Sequence, residues 1–401
     1  MANLLYLVHR LPYPPNKGDK VRSYNLLKYL ARSHAVFLGT FVDDPDDMQY
    51  LPDVRDLCAD MYVARLNPGL AKFKSLVGLL TGEALTLPYY RDASLLNWVM
   101  QTLHQQSIEA IVIFSSAMAQ YVPAETSVPV LVDFVDVDSA KWTQYASQHR
   151  WPMSWVYRRE GENLLAYERA IAGWANRSFF VTDNEVELFA GLAPECASRV
   201  ETVMNGVDSD YFSPVSSRVS PYPNGQPVLV FTGAMDYWPN IDAVTWFAKD
   251  IFPSLRVKWP NVKFYIVGRN PTPTVTSLAG DGVVVTGTVP DVRPYLQFAD
   301  VVVAPMRVAR GVQNKILEAM AMARPVVAAL TCTDAIGAES GRELIAAGME
   351  NEYVSAIDQL LENPVQVTAI GEAGRACVVM RYSWEAHLAK IDSYLTAVNN
   401  S

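Results

Sequence analysis

Residues 304–325 read APMRVARGVQNKILEAMAMARP, and this stretch decides the fold more than any other part of the chain. It begins where the apolar run Val301–Ala304 ends, which predicts a buried strand, and its later apolar residues recur at helical spacing over Gln313–Ala323. The loop between strand and helix holds Arg307, Arg310 and Gly311. A buried strand, a short loop and a helix form the repeating unit of a parallel α/β sheet, which binds ligands where its strands end.

The same stretch carries residues that suit a phosphate and a sugar. The first N–H groups of a helix lack partners within the helix and favour an anion, and Arg310 and Lys315 add positive charge there. Glu318 follows Lys315 by three residues on the same helix face, where a carboxylate suits the hydroxyls of a ribose. A surface Lys–Glu pair on an amphipathic helix is the alternative interpretation.

Short apolar runs alternate with helical patterns along the chain, which predicts parallel sheets with helices on both faces. The predicted helices include Val21–Arg32, Leu95–Gln105 and Ile241–Ile251, and after residue 328 only helices are predicted, the last being Trp384–Val398. The predicted strands are Leu4–Val8, Ala35–Phe41, Met61–Ala64, Ala110–Phe114, Val128–Val132, Ser178–Val181, Arg199–Met204, Val228–Phe231, Val262–Val267, Val283–Val285, Val301–Ala304 and Pro325–Ala328.

We therefore predict an α/β protein with two doubly wound, Rossmann-like domains. Residues 213–226 are rich in proline and serine and lack a periodic apolar pattern, which is typical of a linker. The predicted boundaries are 1–207 for an N-terminal domain, 208–226 for the linker and 227–383 for a C-terminal domain. Residues 384–401 are expected to form a helix that packs back on the N-terminal domain.

Composition excludes several classes of protein. The chain has 401 residues, of which 50% are hydrophobic and 19% charged, and this is ordinary globular composition. A net charge of −9 argues against sequence-independent binding of nucleic acid. The four cysteines have neither zinc-site spacing nor the pattern of a disulfide framework, which favours a reducing cytosol.

Several common motifs are also missing from the sequence. There is no G-x-G-x-x-G, no P-loop, no H-E-x-x-H and no G-x-S-x-G, so nicotinamide-cofactor, P-loop and zinc-protease chemistry are disfavoured. No window approaches the roughly 20 apolar residues of a membrane span. We expect a soluble protein, although such a protein can still lie on a membrane surface.

The loop after the first strand, residues 12–19, reads PYPPNKGD and precedes a predicted helix. Gly18 lets backbone approach a ligand, and Lys17 adds charge beside a helix N-terminus. The alternative is an ordinary strand-to-helix loop.

Three aspartates, Asp133, Asp136 and Asp138, follow the strand Val128–Val132. Carboxylates this close repel one another and raise one another's pKa, so the cluster needs a reason. A general base, contacts to sugar hydroxyls and a metal site are all compatible with it. We favour one functional carboxylate together with a helix cap, in which Asp138 or Ser139 begins the next helix.

Seven pieces of sequence in order resemble glycosyltransferase family 4, the large retaining family with the GT-B fold. They cover nearly the whole chain and are Asn205–Asp208 with Phe212, Phe231–Gly233, Ile266–Gly268, Thr286-Gly287, Ala299-Asp300 with Pro305, Leu317–Ala321, and Pro325–Val327. A narrower likeness, to sugar transferases of bacterial exosortase (PEP-CTERM) and exopolysaccharide loci, is carried by residues 15–20 (PNKGDK), 133–139 (DFVDVDS), 232–240 (TGAMDYWPN) and 311–315 (GVQNK).

The resemblance also shows where this chain departs from the family. The family places two glutamates eight residues apart; Glu318 matches the second, while Arg310 stands at the first. The family's Arg and Lys after the first strand of the C-terminal domain are missing from residues 233–238, and Val135-Asp136 replaces its frequent active-site histidine. Lys17, Arg269, Arg310 and Lys315 are then the candidate cations for a diphosphate.

The resemblance implies a GT-B fold whose two domains face a central cleft, and a retaining transfer of sugar from a nucleotide diphosphate sugar to an acceptor. The implied catalytic residues are Asp136, Asp138 and Lys17. The implied donor-binding residues are Gly18, Asn205, Gly233, Met235, Arg269, Val289, Arg310, Gly311, Gln313, Asn314, Lys315 and Glu318.

No cofactor and no metal ion are expected, and the acceptor is expected to be a lipid-linked glycan used in exopolysaccharide synthesis. The implied location is the cytoplasm, including the inner face of the cytoplasmic membrane, with no nucleic-acid partner. A nucleotide-sugar epimerase or hydrolase of the same fold is one alternative. A weakly catalytic nucleotide-sugar-binding scaffold is the other.

A membrane contact is expected on the N-terminal domain. Leu70, Phe73, Leu76, Val77 and Leu80 recur at helical spacing, and Lys72 and Lys74 lie beside them. Packing of this stripe into the core is the simpler interpretation. Residues 1–180 carry 17 basic and 18 acidic side chains, against 16 and 24 in the rest of the chain, so basic surface is available there.

Overall fold

The computed structural model describes residues 1–15, 18–223, 225–308 and 312–398. The chain divides into two compact units. Unit 1 consists of Met1–Asn205 and the chain from His387 onward, and unit 2 consists of Gly206–Ala386.

Unit 1 is built on a sheet of seven parallel strands in the order β3-β2-β1-β4-β5-β6-β7. This is the strand order of a doubly wound nucleotide-binding fold with one more strand at its edge. Strand β1 is buried on both faces because helices cover both sides of the sheet. The strands are β1 (Asn3–Val8), β2 (Ala35–Val42), β3 (Asp60–Arg65), β4 (Ile108–Phe114), β5 (Val130–Val135), β6 (Arg177–Phe180) and β7 (Val200–Thr202).

Helices connect these strands, as parallel pairing requires. Short 3₁₀ helices lie at Pro45–Tyr50, Ser116–Tyr121 and Pro194–Arg199. The α-helices are α1 (Gly18–Ala31), α2 (Leu51–Arg55), α3 (Pro68–Ser75), α4 (Gly78–Thr81), α5 (Thr86–Tyr89), α6 (Ala93–Gln105), α7 (Asp138–Gln148), α8 (Met153–Trp174) and α9 (Asp183–Leu192).

Unit 2 is built on six parallel strands in the order β10-β9-β8-β11-β12-β13. The strands are β8 (Val228–Thr232), β9 (Lys263–Val267), β10 (Val283–Gly287), β11 (Val301–Ala304), β12 (Val326–Ala329) and β13 (Ile345–Ala347). Helices again cover both faces: α10 (Trp238–Trp246), continued by a π-helical turn (Phe247–Ile251), α11 (Phe252–Lys258), α12 (Pro273–Thr276), α13 (Arg293–Gln297), α14 (Asn314–Ala321), α15 (Leu330–Ile336), α16 (Glu350–Glu362) and α17 (Pro364–Arg381).

The edge strand β13 corrects the expectation that only helices follow residue 328. It has three residues, and two of them are alanines, so it carries neither the length nor the β-branched composition by which strands are recognised. It pairs with β12, from Val327↔Ile345 to Ala329↔Ala347.

The predicted linker lies within unit 2, and its described residues, 208–223 and 225–226, contain no helix or strand. Tyr222 is buried and its hydroxyl donates to the carbonyl of Tyr295 at 2.6 Å. The side chain of Gln297 bonds the backbone N–H and carbonyl of Val215 at 3.1 and 2.8 Å. These contacts fasten residues 213–223 to the second unit.

The last helix, α18 (Trp384–Val398), begins in unit 2 and continues into unit 1 from His387. Within unit 1, Lys390 pairs with Glu201 at 2.7 Å, and the hydroxyl of Tyr394 donates to the same carboxylate. His34 lies 3.3 Å from Asp392. None of the described helices combines the length and the apolar character that a membrane span requires.

Candidate active site

A cavity of about 610 Å³ opens at the carboxyl edge of the sheet in unit 2, a size typical of small-ligand sites. The ends of β8, β9 and β10 and the N-terminal turn of α14 surround it. The residues that line it are Thr232, Gly233, Ala234, Tyr237, Asn240, Val267, Gly268, Arg269, Thr288, Val289, Val292, Val312, Gln313, Asn314, Lys315 and Glu318.

Two glycines allow the ends of β8 and β9 to meet beneath the cavity. A Cβ atom on Gly268 would lie 1.6 Å from the carbonyl oxygen of Gly233, so no side chain fits there. The N–H of Gly233 donates to the carbonyl of Val267 at 3.0 Å. The floor of the cavity is therefore backbone, which a ligand can approach closely.

Among the described residues, Lys315 is one of two cations that line the cavity, the other being Arg269. Its ammonium donates to the side-chain oxygen of Asn240, whose amide donates in turn to the carbonyl of Ala234 at 2.8 Å. The ammonium also lies 4.5 Å from the centroid of the Phe231 ring, within the range of a cation–π contact. No carboxylate among the described residues forms an ion pair with it. Burial lowers the pKa of Lys315 to about 8, so the side chain is mainly charged at neutral pH.

Glu318 supplies a carboxylate to the same wall, one helical turn after Lys315. Burial raises its pKa to about 7, although the charge of Lys315 opposes the shift. The carboxyl group is therefore poised between its protonated and ionised forms near neutral pH. A donor that stabilises the ionised form, such as a sugar hydroxyl, would lower this pKa.

Seven of the residues predicted to bind the donor line this one cavity: Gly233, Arg269, Val289, Gln313, Asn314, Lys315 and Glu318. Lys17, Arg310 and Gly311, also named from the sequence, lie outside the described residues.

Three further predicted donor residues lie elsewhere. The side chain of Met235 is buried in the core of unit 2 and does not line the cavity. Its backbone N–H donates to the carbonyl of Arg269 at 2.8 Å. Gly18 is exposed at the start of α1, in unit 1. Asn205, also in unit 1, accepts a hydrogen bond from Arg22 at 3.0 Å.

The three aspartates predicted to follow the fifth strand do not act together, and Asp133 lies within β5 itself. Asp133 is fully buried and pairs with Arg22, also fully buried, through contacts of 2.7 and 3.2 Å. Asp136 and Asp138 are half-exposed and share one partner, Lys141, at 2.7 and 3.0 Å. The described residues contain no group of His, Cys, Asp or Glu side chains arranged to hold a metal ion.

His9, which sequence reasoning missed, lies directly after β1 at the carboxyl edge of the first sheet. Its ring stacks on Phe114, with centroids 5.9 Å apart, and its Nε2 lies 3.5 Å from a carboxylate oxygen of Asp19. Its Nδ1 is buried and has no hydrogen-bond partner among residues 1–15, 18–223, 225–308 and 312–398. Such unpaired buried atoms are uncommon in proteins, and a ligand or a water molecule can supply the missing partner.

The carboxylate of Asp19 also contacts Arg10 at 2.9 Å. Burial opposes its ionisation, but the hydrogen bond with His9 and the charge of Arg10 outweigh burial and hold the pKa of Asp19 well below its usual range. An ionised carboxylate facing Nε2 favours a proton on that nitrogen and leaves Nδ1 as an acceptor. The position of His9, one residue past a buried strand, was the available sequence signal.

Comparison with protein families gives one match: residues 226–363 fit the model for glycosyl transferases group 1. This range contains every residue that lines the cavity. A search of the curated proteins found no significant match.

Solved structures match over the full length. Sucrose-phosphate synthase from Thermosynechococcus elongatus is 18% identical, with 100% of both chains covered and a TM-score of 0.60. Anabaena HepE, solved with UDP-glucose, is 16% identical over 99% of this chain and 100% of that one, with a TM-score of 0.60. WaaG, a glycosyltransferase involved in lipopolysaccharide biosynthesis, is 16% identical over 97% and 98% of the chains, with a TM-score of 0.55.

At these identities the structural matches establish the fold, and the family match identifies the domain that holds the cavity. The chain has the α/β fold of the GT-B glycosyltransferases, and residues 226–363 form a glycosyltransferase domain of group 1.

Proposed function

We propose that the protein transfers a sugar, with retention of configuration, from a nucleotide diphosphate sugar to a hydroxyl-bearing acceptor. The observation that carries the proposal is that Lys315 and Glu318 both line one cavity whose floor is glycine backbone. A diphosphate needs positive charge and close backbone, and a ribose needs an acceptor for its hydroxyls. The complexes of HepE with UDP and with UDP-glucose support a nucleotide sugar as the donor.

The departing diphosphate would be stabilised by Lys315, Arg269 and the N-terminal turn of α14. Lys315 is suited to this task because its partner, Asn240, is neutral and leaves its charge available. Preorganised charge of this kind lowers the barrier without reorganisation during the reaction. We propose that Arg310 adds to this charge and that no metal ion is required, so EDTA should leave the activity intact.

For the acceptor side, unit 1 offers two candidates. Asp136 and Asp138, which the family resemblance selects together with Lys17, are held by Lys141 in half-exposed ion pairs. His9 instead presents a nitrogen to which no described residue makes a hydrogen bond, on a ring held by an aromatic side chain and a carboxylate. We propose that His9 Nδ1 accepts a hydrogen bond from the acceptor hydroxyl and that Asp136 contacts sugar hydroxyls.

We further propose that the acceptor is a lipid-linked glycan in exopolysaccharide synthesis, reached by peripheral contact at the inner face of the cytoplasmic membrane. WaaG, which acts in lipopolysaccharide biosynthesis, offers a parallel in surface-glycan assembly. The sequence likeness to sugar transferases of exopolysaccharide loci also motivates the choice of this acceptor.

The test starts with isothermal titration of UDP-glucose, UDP-galactose, ADP-glucose and GDP-mannose into the full chain. The nucleotide sugar that binds is then supplied with a radioactive sugar, together with bacterial membranes. We expect label in the organic-extractable lipid, and the anomeric configuration of the product can then be read by NMR. Release of free sugar or of an epimer without membranes would indicate a hydrolase or an epimerase instead, and binding without turnover would indicate a scaffold.

A further inference from the structure

Helices α3 and α4 bury small residues and expose large apolar side chains, which is the reverse of an ordinary amphipathic helix. Their buried residues are small: Ala71, Ser75 and Gly78, spaced to lie on one face. A Cβ atom on Gly78 would lie 3.2 Å from the carbonyl oxygen of Glu83, so that face packs closely on the protein. The large side chains face solvent: Leu70, Phe73, Leu76, Val77 and Leu80 are all exposed, Phe73 by 73% and Leu80 by 90%.

The placement of this apolar patch is built into the chain and is not the result of a frayed helix. Asn67 caps α3 by accepting from the N–H groups of Gly69 and Leu70 at 3.0 and 3.2 Å, and Pro68 takes the first helical position. Gly82 ends α4 in the left-handed conformation, with φ of 82°. Both termini are therefore fixed by the residues that fix helix ends in general.

A second exposed segment lies beside the first. Arg159 of α8 donates to the carbonyls of Gly78 and Glu83 at 2.6 and 3.0 Å, and so joins α8 to α4. Trp155 precedes Arg159 by one helical turn on the same face of α8. Trp155 is 52% exposed and Trp151, just before α8, is 81% exposed. Trp155 therefore lies on the face of α8 that meets α4, and Trp151, four residues earlier, adds a second exposed ring to the same segment.

The charged side chains within the two segments that carry this surface have one sign, and Glu83, the next charged residue after Lys74, pairs with Arg91 at 3.2 Å. Lys72, Lys74, Arg150 and Arg158 are all exposed, and among the described residues none of them forms an ion pair with a carboxylate. Residues 66–82 and 149–158 contain neither Asp nor Glu. A basic rim stands out on a chain whose net charge is −9, and it favours an anionic occupant.

We propose that three groups of side chains form a single docking surface for an anionic lipid bilayer: the five exposed apolar residues between Leu70 and Leu80, Trp151 and Trp155, and the four cations. Large aliphatic side chains enter the acyl boundary, tryptophan rings sit at the headgroup level, and lysine and arginine stems reach the phosphates. This inference deepens the proposed acceptor, a lipid-linked glycan, but the binding can be measured without donor, acceptor or turnover.

The test is co-sedimentation of the full chain with vesicles of phosphatidylcholine, with or without 30% phosphatidylglycerol. We expect strong binding to the anionic vesicles, weaker binding to the neutral ones, and loss of binding as salt screens the cations. The variant F73S L80S removes two fully accessible apolar side chains and should lower the partition coefficient at least about tenfold. The variant K72E K74E should lower it at least as much on anionic vesicles and have little effect on neutral ones.

Matched controls lie in unit 2. V257S V365S changes two equally exposed apolar residues, and K249E R342E makes the same change of charge; neither should alter vesicle binding. Circular dichroism and the thermal midpoint confirm that each variant is folded. Absent binding by the wild type, or binding that F73S L80S leaves unchanged, overturns the proposal. So does a dimer that F73S L80S dissociates while vesicle binding persists, because the surface would then serve a second copy of the chain.

Discussion

The carboxyl edges of the two sheets have similar topology but use charge in opposite ways. In unit 1 the charged groups neutralise one another: Arg22 holds Asp133, and Lys141 holds Asp136 and Asp138. In unit 2, the contacts of the Lys315 ammonium are all with neutral groups, Asn240, Phe231 and Met306, and among the described residues neither Lys315 nor Arg269 forms an ion pair. Where every cation is already paired with a carboxylate, little positive charge remains to bind a dianionic ligand. Cations without a carboxylate partner, next to exposed backbone, can bind such a ligand. This difference supports the proposal that the nucleotide sugar binds to unit 2.

The largest effect is expected from breaking the buried pair in unit 1. Asp133→Asn leaves the fully buried charge of Arg22 without its partner, which costs about 3–5 kcal/mol of unfolding free energy. Asp136→Asn, three residues later, breaks a half-exposed pair and should cost at most about 1 kcal/mol. Urea unfolding of the two variants measures the contrast. Equal losses would show that burial does not separate the two aspartates.

The roles of the two ring nitrogens of His9 can be tested separately with two amide variants. Glutamine at this position keeps a group near Nε2 but removes Nδ1, whereas asparagine keeps a group near Nδ1 but removes the contact with Asp19. If Nδ1 accepts a hydrogen bond from the hydroxyl of the sugar acceptor, His9→Gln should lower kcat about 10²-fold with donor affinity unchanged. His9→Asn should then retain more activity. His104→Gln, on α6, is the control. The reverse order for the two variants would assign His9 a structural role through Asp19.

Lys315 tests the unmatched charge of unit 2. Lys315→Met keeps the length of the side chain and removes a charge-assisted contact worth about 1.5–3 kcal/mol, so nucleotide-sugar affinity should fall roughly 10- to 150-fold. Stability should not fall, because a partly buried ammonium is replaced by an apolar group. Lys249→Met, exposed in the same unit, is the control for loss of charge. Calorimetry gives both affinities, and an unchanged value for Lys315→Met would move the cationic role to Arg269 or Arg310.

For Glu318 we predict a smaller effect, a change of nucleotide-sugar affinity with pH. Its pKa of about 7 is raised above the ordinary value, so in the free protein it contributes stability at low pH that is lost as pH rises through 7. A ribose hydroxyl donates to the ionised form, so nucleotide-sugar affinity should rise several-fold from pH 6 to 7.5. Above pH 8 the affinity should fall again as Lys315 loses its proton. Glu318→Gln should abolish the rise but keep the fall.

The sequence predicted unit 2 better than unit 1, and the reason is physical. Lys315 and Glu318 stand at a helix start after a buried strand, so local rules alone bring them to the carboxyl edge of the sheet. The pairing of Arg22 with Asp133 joins residues 111 positions apart, and no local pattern reports it. His9 carries no motif, and its importance appears only when Asp19 and Phe114 are placed around it.

The stripe at Leu70–Leu80 shows a different limit. Its helical spacing was visible in the sequence, but spacing defines a face without saying which way that face points. The simpler interpretation, packing into the core, is wrong for these five residues, all of which are exposed. The small residues Ala71, Ser75 and Gly78 on the opposite face were the signal that could have settled it.

We propose above that the cavity of unit 2 binds a nucleotide diphosphate sugar through Lys315 and Glu318. The decisive measurement is isothermal titration of the four nucleotide sugars into the wild type and into K315M E318Q. We expect one saturable site for at least one of the four, lost in the double variant and unchanged in D136N. No binding of any of the four to the wild type, or binding that K315M E318Q leaves intact, would contradict it.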